Sequence, residues 1–396
     1  MNPGPTLGQI LRGVIEGRCA PSLRLSPEHW KVLRALAACR TPALGGRLFY
    51  CPSCQREHFV SHSCRNRHCP QCQGHRAIDW LEQQQATLLP IPYFHLVFTL
   101  PHVLNALIRQ NRRALLALLF AAASQTLLEF GRQRVKAQIG ITAVLHTWSQ
   151  TLLDHYHVHC IVSGGGLALN GQHWVDTKDY YLFPVRALNR MFRGKFLAGV
   201  KTLYDEGQLQ FHGQLQPLTR ASEFAALLRS AAQDNWVVYA KRPFAGPQQV
   251  LKYLSNYTHR VAISNRRLLC ADNQRVTFSY KDYADQERRK TMTLELPEFV
   301  RRFCLHLLPE RFVKIRHYGL LGNRQRTQRL ARARALLGVV TPTSPGTPAE
   351  PAPKNASALE PNARVCCPFC RQPILILLRE VPPVRHTRAL PVLDSS

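Results

Sequence analysis

The stretch ITAVLHTWSQTLLDHYHVHCIVSGGGL, residues 141–167, holds two β-rich runs, 141–150 and 157–167, separated by a short break. Side chains on a strand alternate between faces, so His157 and His159 present two imidazoles on one side while Val158 points to the core. This is the arrangement two ligands of one ion require. A hairpin with its loop near 151–154 sets His146 opposite His159 as a third ligand, with Gln150 on the same face nearer the loop. A lone HxH in a strand arises often by chance, so the metal reading depends on its surroundings. His155, at the loop, is expected to be a bystander.

The surroundings are strongly basic. Fifty-two Lys and Arg against twenty-four Asp and Glu leave a net charge of +28 over 396 residues. Such an excess points to a polyanionic partner bound through counterion release, with nucleic acid first. The most apolar run, ALLALLFAAA (114–123), follows Arg112 and Arg113 and falls short of the ~20 residues that span a bilayer. The N-terminus, MNPGPTLGQILRGVIEG, has no apolar segment after a basic start, so no membrane partner is expected and the location is expected to be cytoplasmic, at the nucleoid. No feature specifies an oligomeric state.

Four zones follow along the chain. Residues 1–90 combine a helical lead, PEHWKVLRALAAC after Ser26 as N-cap, with a Cys/His cluster, and read as a zinc-binding, DNA-contacting domain. Residues 91–330 open with the strand PYFHLVFTL (92–100) and two helices over 102–137. They continue through helices near 185–206 and 219–234, the strand WVVYAKRPF, the helix PQQVLKYLSNY, and the strands VAISNRRLL, RVTFSYKDY and KTMTLEL. Strands and helices mix without regular βαβ spacing, which predicts an α+β fold with an antiparallel sheet. The run Gly164, Gly165, Gly166 lacks GK[ST] and reads as a turn after the histidine strand. Residues 341–363, rich in Pro, Ala, Ser and Thr, read as a disordered linker. Residues 364–396 form a cysteine stub.

In CPSCQREHFVSHSCRNRHCPQC, Cys51, Cys54, Cys69 and Cys72 make two CxxC pairs fourteen residues apart, the pattern of a four-thiolate structural Zn²⁺ site. Cys64 and His68, with His58, His62 and His75 in reserve, exceed the needs of one ion and leave room for a second ion or another ligand set. The interleaved Arg65 and Arg67 suggest that the zinc orders a DNA-contacting surface. Cys366, Cys367 and Cys370 supply half a site, either a degenerate zinc knuckle or idle thiols.

Downstream, YLSNYTHRVAISNRRL sets Tyr253 and Tyr257 four apart, on one face of a helix. Taken in order, CPSC, RNRHCPQCQ, YFHLVFTLPH, LHTWSQ, HYHVHCIVSGGGL and YLSNYTHRVAISNRRL resemble the rolling-circle insertion-sequence transposases of the ninety-one and ISCR type, within the HUH superfamily of single-strand endonucleases. The resemblance covers residues 10–325, with His155-Tyr156 where many relatives have His-Pro. It implies a ferredoxin-like sheet carrying His157 and His159 as metal ligands, with Tyr253 and Tyr257 as the nucleophiles of a two-tyrosine transposase. It also implies cleavage and rejoining of single-stranded DNA at hairpin-bearing element ends through 5′-phosphotyrosine links. Arg260, Arg266 and Arg267 are expected phosphate contacts. Imidazole ligands favour Mn²⁺ by affinity and cellular abundance favours Mg²⁺, with Zn²⁺ at this centre the alternative. The rival expectations are a plasmid rolling-circle initiator or relaxase, and a non-catalytic zinc-finger regulator.

Overall fold

The computed structural model describes residues 4–17, 23–85, 87–177, 182–244, 249–250, 261–339 and 366–384. Tyr253, Tyr257, Arg260 and the expected linker 341–363 lie outside the described residues.

Among the described residues the chain runs α1 (Leu7–Ile15), α2 (Pro27–Ala37), β1 (Gly46–Cys51), β2 (Arg56–Ser61), α3 (Pro70–Gln85), β3 (Tyr93–Thr99), α4 (Asn105–Gln110) and α5 (Arg112–Phe130). It continues with β4 (Ala137–Trp148), β5 (Asp154–Ala168), β6 (Trp174–Asp176), α6 (Val185–Asp205), α7 (Ala221–Gln233) and β7 (Val237–Phe244). The last part contains β8 (Leu268–Ala271), β9 (Arg275–Asp282), β10 (Arg288–Glu295), α8 (Leu296–Cys304), β11 (Ile315–Gly319), α9 (Arg326–Leu336) and β12 (Ile376–Val381).

The central sheet has the order β11-β4-β5-β3-β7, with β6 paired to β5, and each pairing is antiparallel. Numbered in chain order, β3, β4, β5 and β7 lie as 4-1-3-2, with α5 after the first strand and α6 and α7 after the third. That is the βαββαβ pattern of a ferredoxin-like fold, extended by β11 along its β4 edge. Strand parity decides which face the helices cover. Phe94, Leu96 and Phe98, Ile141, Ala143 and Leu145, and Tyr156, Val158 and Cys160 are buried in one cluster with Leu115, Leu119 and Phe120 of α5 and Phe192 and Phe196 of α6. Each large apolar side chain withdrawn from water contributes roughly 1.5–3 kcal/mol. Helices α5 and α6 therefore cover one face, and the histidines stand on the other, where Leu330 and Ala333 of α9 cluster with Tyr93 and Ile161.

With the π-helical turn that follows it, α5 spans 24 residues, with a mean hydropathy of 1.6 in its most apolar window, and 61% of that window is buried within the fold. The apolar helix is thus longer than the run 114–123 suggested, and it is the spine of the main core. The glycine run also differs from expectation: β5 continues to Ala168, so Gly164–Gly166 lie inside the strand. A Cβ at Gly164 would lie 2.8 Å from the Pro92 carbonyl oxygen, and one at Gly166 would lie 2.5 Å from that of Gln138. Glycine here lets neighbouring backbones close in.

A second core joins distant parts of the chain. Leu7, Leu11, Leu33 and Leu36 of α1 and α2 pack with Val276, Phe278, Leu296, Phe299 and Phe303 from the β10-β9-β8 sheet and α8. Thr6 and Gln9 form a capping box on α1, and Ser26 caps α2 by accepting from the His29 amide at 3.3 Å, as its sequence predicts. The expected strand VAISNRRLL is shorter than predicted: Asn265–Arg267 is a 3₁₀ turn and only Leu268–Ala271 pairs. A boundary near residue 90, natural in chain order, separates elements that the packing joins.

The β4–β5 turn is held by this second core. Leu152, in the left-handed region at φ 62°, is fully buried there. Three consecutive carbonyls of the turn accept hydrogen bonds: Gln150 from Arg267, Thr151 from Arg302 at 3.1 Å and Leu152 from His306 Nε2 at 3.0 Å. Burial pushes the His306 pKa down to about 3, which keeps the ring neutral as a one-proton donor. The tip of the histidine hairpin is thereby fixed to the part of the molecule that carries the cysteines.

Candidate metal centres

His146, His157 and His159 bring their ring nitrogens within 4.8 Å of one another. The ring centroids are 5.4 Å apart for His146 and His157, 4.6 Å for His146 and His159, and 4.9 Å for His157 and His159. His146 lies opposite His157, and Val144 opposite His159, one pair along from the expected register. The third imidazole still reaches the pair because all three share a face, and a bulge in the pairing follows His146.

Hydrogen bonds fix the rings. His157 Nδ1 lies 2.8 Å from the His155 carbonyl, which can only accept, so Nδ1 carries the proton and Nε2 faces the centre as a lone-pair donor. His159 Nδ1 lies 2.9 Å from Nε2 of His95 on β3. Burial first, and Lys241 second, push the His95 pKa down to about 3, so His95 is neutral and accepts the His159 proton when His159 binds through Nε2. His146 stacks on Trp148 at 4.7 Å, and the Lys314 ammonium sits 5.5 Å from the centre of the Trp148 ring. Behind the sheet, Asp154 is paired with Arg109 at 2.9 Å and accepts from the Tyr156 hydroxyl at 2.9 Å. Tyr156 thus closes a polar contact under the histidine strand.

His95 was not among the sequence candidates; its only signal was a histidine in phase with the metal face of an otherwise apolar strand. His95→Leu removes the acceptor and is expected to weaken Mn²⁺ binding by about 10–100-fold. His95→Gln, whose amide oxygen can accept the same proton, should recover most of that loss. Titration of both variants by Mn²⁺ electron paramagnetic resonance checks this, and equal losses would leave His95 as packing alone.

The cysteines assemble differently from the CxxC pattern. Cys51, Cys54, Cys69 and Cys72 do not meet as one set; one site gathers Cys39, Cys64, Cys69 and Cys72, and another gathers Cys51, Cys54, Cys367 and Cys370. The reason is geometric: Cys51 ends β1 and Cys54 lies in the turn, whereas Cys69 and Cys72 flank the start of α3. The intervening six-residue β2 spans about 20 Å, far more than a ligand shell. In the first site Cys39 lies 3.5 Å from both Cys69 and Cys72, and Cys64 lies 3.7 Å from Cys72. A tetrahedral Zn²⁺ with Zn–S of about 2.3 Å has an S–S edge of about 3.8 Å, whereas a disulfide needs about 2.05 Å. The thiols are free and preset for Zn²⁺, which with four protein ligands has a structural role. Cys64 therefore belongs to the first set and His68 does not: half-buried, with its pKa lowered to about 3, it accepts the Leu308 amide at 3.3 Å. His62 pairs with Glu380 at 3.3 Å, and His58 meets the Phe369 ring edge-on.

The arginines divide in the same way. Arg65 and Arg266 are exposed. Arg67 donates to the carbonyls of Phe312 and, at 2.8 Å, Pro309, and Arg267 donates to those of Gln150 and, at 2.8 Å, Ser279. Arg67→Ala is expected to cost about 1.5–3 kcal/mol of stability by leaving those carbonyls unsatisfied, with little change in the salt dependence of DNA binding. Arg65→Ala and Arg266→Ala should instead spare stability and each lower the slope of log K against log salt by about 0.7. Chemical denaturation and DNA titrations at several salt concentrations separate the two classes.

Residues 140–329 match the family described as "Putative transposase" of the Y2 type, and residues 14–100 match the IS91-type "Transposase zinc-binding domain". "Putative transposase y4qJ" of Sinorhizobium fredii (strain NBRC 101917 / NGR234) is 43% identical over 378 residues, 95% of each chain. The "Transposase for insertion sequence element IS801" of Pseudomonas savastanoi pv. phaseolicola is 30% identical over 314 residues, 78% of this chain and 73% of that one. The conjugative relaxase TrwC, in complex with oriT DNA, aligns with 42% of this chain and 71% of its own at 16% identity, and the TM-score of 0.24 is too low to bear on the fold. A basic chain with a ferredoxin-like sheet, a zinc-binding domain and a transposase-family core is a nucleic-acid-cleaving enzyme that acts on DNA. It belongs to the IS91 family of insertion-sequence transposases, which move by rolling-circle transposition.

Proposed function

We propose that the protein is an HUH-type single-strand endonuclease and strand transferase that cuts and rejoins DNA at the ends of its element. The observation that carries this reading is the convergence of His146, His157 and His159 on the face of the ferredoxin-like sheet opposite α5 and α6. Val250 supports it: this residue is buried in a cluster with Tyr93 and Ile161, and Ile161 is two residues beyond His159 on the same strand face. In the sequence, Tyr253 and Tyr257 follow Val250 at i+3 and i+7, the spacing of one helical face.

The phenolic oxygen of Tyr253 or Tyr257 attacks the scissile phosphorus in line, the bond from phosphorus to the 3′-oxygen breaks, and the departing oxygen takes a proton to become a 3′-OH. A 5′-phosphotyrosine remains and keeps the bond energy for rejoining. A second tyrosine lets one polypeptide cleave again before the first link is resolved, as strand transfer between two element ends requires. His157 and His159, oriented by the His155 carbonyl and by His95, with His146 as third donor, would hold Mn²⁺ or Mg²⁺; when bound, the ion supplies Lewis-acid stabilisation of charge developing on the phosphate. Exposed Arg65 and Arg266, with Arg260, hold the phosphates of single-stranded DNA and of hairpins at the ends, and a net charge of +28 keeps the protein with the nucleoid.

The reading as a plasmid initiator or relaxase shares this chemistry, but family membership places the chain among transposases. A non-catalytic regulator would leave the three oriented imidazoles without a purpose. The test incubates purified protein with Mn²⁺ or Mg²⁺ and labelled single-stranded oligonucleotides covering both element ends. An SDS-stable protein–DNA adduct is expected, and none with any end sequence would remove the endonuclease reading.

A further inference from the structure

The cysteine group of Cys51, Cys54, Cys367 and Cys370 draws half its ligands from each end of the described chain. Cys51 and Cys370 sulfurs lie 3.5 Å apart, and Cys54 and Cys367 sulfurs 3.6 Å apart across 313 residues of sequence. All four sulfurs lie within 4.8 Å of one another, close to the edge of a tetrahedral Zn²⁺ site of about 3.8 Å.

The backbone is built to the same end. β12 pairs with β1 from Tyr50↔Ile376 to Gly46↔Val381 and completes a three-stranded sheet, β12-β1-β2. Gly45, at φ 68°, lets the chain pass where a Cβ would lie 2.3 Å from the Val381 carbonyl oxygen. Arg47 and Glu380 pair across the two strands at 2.6 Å. Cys367 is buried while its neighbour Cys366 is exposed and outside the group, so only one of the two adjacent thiols is positioned as a ligand. Cys367 and Cys370 also lie outside residues 14–100, the region matched by the zinc-binding domain.

We propose that these four cysteines bind a second structural Zn²⁺ that acts as a clasp, locking residues 366–384 into the N-terminal zinc module as its third strand. The first site, all within residues 39–72, can form as soon as that segment is made. The clasp can form only once Cys367 and Cys370 have also been made.

Zinc content and linker cleavage test this on the full-length protein. Elemental analysis should give two Zn²⁺ per chain, falling to one in Cys367→Ser, Cys370→Ser or Cys51→Ser and staying at two in Cys366→Ser. A protease site placed within 341–363 and cut in the folded protein should leave the C-terminal fragment bound on size exclusion. A zinc chelator should then release it, and in the cut Cys367→Ser protein it should leave without chelator. One zinc in the parent protein, loss of zinc in Cys366→Ser, or a fragment that stays bound after all zinc is removed would each overturn the clasp.

Discussion

Replacing Tyr253 and Tyr257 together with phenylalanine is expected to abolish the covalent adduct with single-stranded end DNA, a loss of about 10³-fold or more, while either single change leaves partial cleavage. Phenylalanine keeps the ring and removes only the hydroxyl that the proposed mechanism joins to phosphorus. With two hydroxyls at i and i+4, either can deliver the first attack, so the singles retain one nucleophile. Reactions requiring both cleavages should fail in each single mutant even where first-strand cutting survives. Denaturing gels of labelled oligonucleotide measure both, and an adduct persisting in the double variant would remove these tyrosines from the chemistry. With the phenols as the proposed nucleophiles and the imidazoles as the proposed metal donors, the double variant should bind Mn²⁺ as the parent does.

His159→Ala is expected to slow cleavage by roughly 10³-fold, about 4 kcal/mol of transition-state stabilisation, with Mn²⁺ affinity falling in the same preparation. His157→Ala should match it, since both rings stand on one strand face and each is oriented by its own hydrogen bond. Binding of uncleaved DNA should be nearly unchanged in both, because the exposed arginines remain. His155→Ala should leave cleavage close to the parent value, since the backbone carbonyl of residue 155 that orients His157 is retained. Single-turnover rates across a Mn²⁺ titration distinguish these outcomes. Full-rate cleavage by His159→Ala would separate the three-histidine centre from the reaction.

Much of the site was legible because it depends on local periodicity. His157, Val158 and His159 are sorted by the two-residue alternation of a strand, and Val158 is buried where that alternation places it. The hairpin 141–167 brought His146 to the same face even though its partner is His157 and not His159. An error of register by two residues preserves facing, which is why His146 still meets the pair. His95 was harder to see, because its role comes from a diagonal contact between β3 and β5 that no spacing within one strand reveals. Arg67 and Arg267 read as phosphate contacts from charge alone, yet each guanidinium is used on backbone carbonyls.

Strand faces, the α+β class, the polyanionic partner and the paired thiolates are legible in short segments, since alternation, charge and CxxC turns are local properties. Which cysteines come together depends on long-range packing. Cys39 joined Cys64, Cys69 and Cys72, and the C-terminal Cys367 and Cys370 completed a site with Cys51 and Cys54. A CxxC pair marks half of a tetrahedron, and its other half is chosen by where strands pair and loops close. That choice rests on contacts such as β1 with β12, made between residues more than three hundred positions apart.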